Sequence, residues 1–109
     1  MPYQLRIRSA AETDIQEAYK YYEECRQGLG RDFMLCIEAS LDKITKSPNH
    51  YPVIHKNIHR VLVKRFPFGI FFIVKENTIV VLAVMHGSRS PQQWIDAGSE
   101  KLSRASRIP

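Results

Sequence analysis

Paired cysteines, long apolar runs and, in the second half, acidic side chains are what this 109-residue chain has least of. Cys25 and Cys36 lack the close spacing of a redox or metal-binding pair, and both fall on apparent helices, so they read as buried free thiols. A zinc site joining them to His55 and His59 would need an unusual cysteine spacing, and neither a metal nor a cofactor is expected. The longest apolar stretches, Phe66 to Val74 and Ile79 to Met85, are too short to cross a bilayer. No leader pattern, repeat or low-complexity segment is visible, and the expectation is a cytoplasmic protein with no membrane partner. Carboxylates are scarce beyond residue 47: residues 1–47 carry a net charge of −1 and residues 48–109 carry +6. That asymmetry suits an acidic partner, either nucleic acid or an acidic protein segment, although a solvated basic surface would produce it too.

What remains is enough for one domain. With 44% apolar residues the chain can bury a single core unaided, and we assign it to residues 1–98, followed by a polar tail over 99–109. Tyr3 to Arg8 alternates, with Tyr3, Leu5 and Ile7 on one face, as a half-buried strand does. Ser9 and Glu12 have the spacing of a capping box at the start of a first helix. Its apolar stripe is Ala11, Ile15, Ala18, Tyr19 and Tyr22, with Asp14, Glu17, Lys20 and Glu24 facing water. Gly28 and Gly30 end it, and the short link implies an antiparallel hairpin with a second helix from about Gly30 to Lys46. That helix presents Phe33, Ile37, Leu41 and Ile44, places Lys43 and Lys46 in its last turn, and stops at Ser47-Pro48.

Beyond Pro52 the period becomes two. Val53 to His55 and Arg60 to Arg65 read as strands around a turn at Lys56-Asn57, and Pro67-Phe68-Gly69 leads to the next strand. Phe71 to Val74 and Ile79 to Met85 are apolar on both faces, as central strands are, with a turn at Lys75-Glu76-Asn77. Ser90-Pro91-Gln92-Gln93 opens a short terminal helix carrying Trp94 and Ile95. The expected class is α+β: an N-terminal strand, a helical hairpin, a three- or four-stranded antiparallel meander and a short C-terminal helix.

The meander carries the candidate chemistry. Alternation places Arg60, Leu62 and Lys64 on one face and Arg65 on the other. It also sets His86 on the face of Val80, Leu82 and Val84, just before Arg89. Metal-free RNA cleavage needs a proton removed from a 2′-hydroxyl, a charged phosphorane stabilised and a leaving oxygen protonated. His86 could move the protons, while Arg60, Lys64, Arg65 or Arg89 could grip the phosphate. Each also has a structural reading: a hydrogen-bonded strand-end histidine, a turn-anchoring Arg89, a wet sheet face, and Trp94 as a cover for the sheet edge.

The run Ala11 to Tyr22 with Asp14-Ile15 and Tyr21-Tyr22 and the Pro48/Tyr51-Pro52 joint come first in a longer pattern. Arg60, Phe66-Pro67-Phe68 and Ala83-Val84-Met85-His86 follow, then Arg89, Pro91 and Trp94. In order and spacing the whole resembles the RelE/ParE toxin superfamily, over about residues 3 to 95. The resemblance implies the toxin of a type II toxin–antitoxin module, neutralised by a cognate antitoxin whose acidic, partly disordered segment covers the basic sheet. It implies one of two activities. RelE-like members are ribosome-dependent mRNA endonucleases, which here would use His86, Arg89 and Arg60 as catalytic groups. ParE-like members poison DNA gyrase, with no catalysis of their own. The endonuclease branch usually carries a late Tyr or a terminal His-aromatic pair. This chain has no Tyr after Tyr51, and Gly87 follows His86, so the expectation leans to the ParE-like reading. Arg60, Lys64, Arg65, Arg89 and Trp94 are then the residues expected to bind target or antitoxin. A relic that retains only antitoxin binding is the third possibility.

Overall fold

The structure is a computed structural model, and it describes residues 3–87. The expected terminal helix, the tail, Arg89 and Trp94 therefore lie outside the described residues. Strand β1 (Gln4–Ile7) leads into α1 (Ser9–Cys25) and α2 (Leu29–Lys46), and a 3-10 turn at Pro48–His50 leads out of them. Strands β2 (Val53–His55), β3 (Ile58–Leu62), β4 (Phe68–Lys75) and β5 (Thr78–His86) complete the order. The last four form an antiparallel meander, and β1 adds beside β5 in parallel, giving the mixed order β1-β5-β4-β3-β2. The expected α+β arrangement is the observed one.

Both helices cover one face of the sheet. The main core joins Ala11, Ile15 and Ala18 of α1 and Phe33, Ile37, Leu41 and Ile44 of α2 to Ile70, Phe72, Ile79, Val81 and Val84. A smaller cluster of Ile58, Phe71, Val80, Leu82, Ala83 and Met85 occupies the opposite face. Each face of β4 and β5 therefore has its own apolar set, which is why neither strand alternates in sequence.

The helix hairpin is built differently from its sequence signals. Ser9 is the first helical residue rather than the cap; Arg8 caps α1 in an extended conformation and no side chain closes the box. The reason is the strand before it: the Arg8 N–H donates to Val81 O at 3.0 Å, so β1 runs straight into the helix. At the other end Gly28 adopts φ 89°, a left-handed conformation that suits glycine. Glu23, still on α1, then caps α2: its two carboxylate oxygens accept the Gly28 and Gly30 N–H groups, each at 3.0 Å. A carboxylate across two unpaired N–H groups is favourable at a helix N-terminus. Gly30 allows the close crossing, because a Cβ there would lie 2.8 Å from Tyr19 O.

Two side chains on α1 depart from expectation. Tyr19, placed on the apolar stripe, is 38% exposed. Asp14, placed in water, is buried, and its carboxylate accepts the Val84 N–H at 2.9 Å. Strand β1 pairs with β5 only as far as Val81. Past that point no strand among the described residues pairs with the β5 edge, and Asp14 supplies the acceptor that a strand would have supplied. The thiols are also displaced from expectation: Cys25 is exposed and Cys36 only partly buried, both free.

Candidate functional site

Among the described residues, the sheet does not gather the candidates Arg60, Lys64, Arg65 and His86 onto one surface. Strand β3 ends at Leu62, three residues short of the expected boundary, and residues 64–67 form a bend. Val63 N–H donates to Phe68 O at 2.9 Å, closing that bend, and Arg65 turns the chain with φ 73°. Lys64 and Arg65 are therefore bend residues, and strand alternation no longer places Lys64 with Arg60. Arg60 itself lies on the face opposite the helices: it pairs with Phe71, and a Cβ on Gly69 would sit 3.5 Å from its Cγ and 3.2 Å from the Phe71 ring.

His86 goes the other way. Strand β5 carries a bulge: Phe72 pairs with Val81 while Phe71 pairs with Ala83, leaving Leu82 as the additional residue. The extra residue shifts the phase of every side chain after it. Leu82 and Ala83 both join the cluster away from the helices, whereas Val84 returns to the helix-side core. His86 is in register with Phe68 and its ring contacts the Phe68 ring, centroids 5.4 Å apart. It is thus an exposed residue on the helix side of the sheet, not on the face of Val80 and Leu82. Arg60 and His86 stand on opposite faces, two strands apart and offset by three positions along β4, roughly 10 Å.

What His86 does meet is the Phe66-Pro67-Phe68 step. Gly87 N–H donates to Pro67 O, tying the exit of β5 to that step. Tyr22 touches the Phe66 ring at 4.9 Å and the Phe68 ring at 6.1 Å, and Phe33 lies 5.4 Å and 5.3 Å from the same two rings. The tyrosine pair divides its work accordingly: Tyr22 packs, while Tyr21 is 62% exposed. Burial, and secondarily Tyr21 and Cys25, raise the Tyr22 hydroxyl above the ordinary phenol value of 10.0. Tyr21 is raised as well, first by its hydrogen bond with Cys25.

Two features escaped the sequence reading. One is a groove of about 380 Å³ between α2 and the bend, lined by Leu35, Cys36, Ala39, Lys43, Lys64 and Arg65 among others. The other is His59, whose ring stacks on Phe72 at 5.0 Å and whose Nδ1 hydrogen-bonds Tyr51 O at 2.9 Å. Its alternation with Val61 along β3 was the available signal. Among the described residues no three His, Cys, Asp or Glu side chains group as metal ligands.

The profile of the family described as "ParE toxin of type II toxin-antitoxin system, parDE" matches residues 5–91. This chain belongs to the ParE toxin family. Toxin ParE2 of Mycobacterium tuberculosis is 26% identical over 92 residues, spanning 84% of this chain and 88% of that protein. Among solved structures, the chromosomal ParDE toxin–antitoxin system of P. aeruginosa superposes with TM-score 0.70 at 18% identity, over 77% of this chain and 95% of that one. Free E. coli toxin RelE, a mutant form, gives TM-score 0.55 at 14% identity over 95% and 98% of the two chains. The family match makes this ParE-family protein the toxin component of a toxin–antitoxin system, and the structural neighbours share its fold. No helix among the described residues is long and apolar enough to cross a membrane.

Proposed function

We propose that this ParE-family toxin arrests growth by binding DNA gyrase and trapping its cleaved-DNA state, without a reaction of its own. The observation that supports this over RNA cleavage is the separation of Arg60 from His86 by the thickness of the sheet. A phosphoryl-transfer centre needs its proton-transfer group and its cation on the same phosphate, within hydrogen-bonding reach. Incubating the purified protein with gyrase and supercoiled plasmid should accumulate cleaved DNA. Normal supercoiling with no cleaved product would overturn the reading.

The exposed His86 keeps a ribosome-dependent mRNA endonuclease as the second reading, with Arg89 as the cation nearest to it in sequence. In that case transcripts from induced cells, mapped at codon resolution, would show new ends that His86→Ala removes. A relic without target would give neither result and no growth arrest.

The partner in either case is an antitoxin with an acidic, partly disordered segment, supported by the +6 charge of residues 48–109. Arg60, Lys64, Arg65, Arg89 and Trp94 remain the proposed binding residues. Reversing the charge at Arg60 and at Lys64 separately should weaken the complex more at low salt than at high salt.

A further inference from the structure

The helical hairpin has a further exposed face, on the seam between α1 and the start of α2. A groove of about 330 Å³ opens there, lined by Ile15, Gln16, Tyr19, Lys20 and Met34, and its wall is almost wholly apolar. It shares no lining residue with the groove against the bend. Tyr19 stands in it 38% exposed, although it follows Ile15 on the buried stripe. Beside it runs one straight row on α1: Glu12, Gln16 and Lys20, all exposed and four residues apart, about 12 Å from end to end. The row is negative at one end, a neutral amide in the middle and positive at the other. Among the described residues neither Glu12 nor Lys20 is in an ion pair, and no hydrogen bond engages the Gln16 amide.

We propose that this face pairs with the same face of a second copy of the chain, as an antiparallel contact of α1 with α1 about a two-fold axis at Gln16. Turned end for end, the row meets its own complement, and a two-fold interface requires that: if residue i touches j, then j touches i. Glu12 of each copy meets Lys20 of the other, making two ion pairs. The two Gln16 amides meet at the axis, where each supplies both donors and an acceptor. Side-chain rows at four-residue spacing pack along one another in the commonest class of helix crossing, so the contact needs no unusual geometry. The same crossing brings the Tyr19 ring of each copy over the apolar groove of the other, covering an aromatic that the single chain leaves partly in water. A nucleic acid or an acidic peptide would be repelled by Glu12, whereas a second copy satisfies every polar group in the row. A face about 12 Å long is small beside the roughly 800 Å² per partner of a standard interface, so the dimer is of micromolar affinity or weaker. Self-pairing through α1 is independent of the gyrase reading, because it uses none of the residues assigned to target or antitoxin.

Sedimentation of the purified full chain over a range of concentrations should show a mass rising from one chain toward two. Glu12→Lys and Lys20→Glu each set like charges at both contacts, and each should raise the dimer dissociation constant by about tenfold or more, equivalent to about 1.4 kcal/mol. Mixed in equal amounts, the two variants face each other as Lys against Glu at both contacts, so the mixture should regain the wild-type affinity. Thermal unfolding of each variant alone checks its fold. Lys20→Glu, exposed in mid-helix, keeps the test decisive if Glu12→Lys weakens the helix start. A chain that stays monomeric at every concentration would overturn the proposal, as would single variants that associate as tightly as wild type or a mixture no tighter than its components. Association abolished by Lys64→Glu but not by the α1 variants would also overturn it, by assigning the self-contact to the basic bend.

Discussion

The two faces of the sheet are made from the same strands but hold different kinds of information. The helix-side face joins α1 and α2 to four strands through interlocking rings and one buried carboxylate, so most of the fold's specificity is invested there. The opposite face is a smaller aliphatic cluster around Phe71, with Arg60 and the exposed Leu62 at its β3 margin. The described candidate residues are thus distributed over both faces of the sheet and the bend after β3. A basic half-chain need not be a basic face.

Substitutions can break this contrast, and the largest effect should come from the helix side. Phe72 is fully buried there and contacts the rings of Tyr51 and His59. Phe72→Ala should cost about 3–5 kcal/mol in denaturant unfolding, enough to compromise folding of a small domain. Asp14→Ala comes next, at about 1–3 kcal/mol, because it leaves the Val84 N–H buried without its acceptor. Asp14→Asn, which retains an oxygen at that position, should recover most of the loss, and near-equal effects of the two would refute the acceptor role.

Gly30→Ala should cost roughly 1–3 kcal/mol, since the new methyl collides with Tyr19 O and the Glu23 side chain where the hairpin crosses. A native shift in the crossing without loss of thermal stability would show the hairpin to be more tolerant than its geometry. Tyr22 sharpens the contrast through pH. Its folded-state hydroxyl ionises above the ordinary value of 10.0, so the unfolded chain loses that proton first and stability falls as pH rises past about 10. Tyr22→Phe should flatten that part of the stability profile; an unchanged alkaline slope would place its origin elsewhere. The smallest effect belongs to Leu62→Ser, at a position 63% exposed on β3, which should change the free energy of denaturant unfolding by no more than about 0.5 kcal/mol.

Where the chain encodes structure by periodicity, the elements were legible. Phe33, Ile37, Leu41 and Ile44 are all buried as their spacing requires, and the turns at Lys56-Asn57 and Glu76-Asn77 lie where polar pairs interrupt apolar runs. Asp14 was legible too, though easily misread: it is three residues after Ala11 and four before Ala18, on the same buried stripe. Its charge argued for water, and a long-range N–H overruled that argument.

The bulge was not legible. Val80 to Met85 is apolar at every position, so nothing in the local pattern distinguishes one parity from the other, and a single extra residue moves His86 across the sheet. The groove was hidden for a related reason: Lys43 and Lys64 are 21 positions apart and meet only because the bend turns toward α2.

The sequence by itself determined the element order, the helical hairpin, the charge asymmetry and the family, because these follow from local periodicity and from residues in a fixed order. Only the tertiary structure decided where Arg60, Lys64, Arg65 and the His86 imidazole lie. That assignment depends on strand register, where β1 and β3 stop and one bulge pairs across, and register is a relation between distant segments that no local pattern contains.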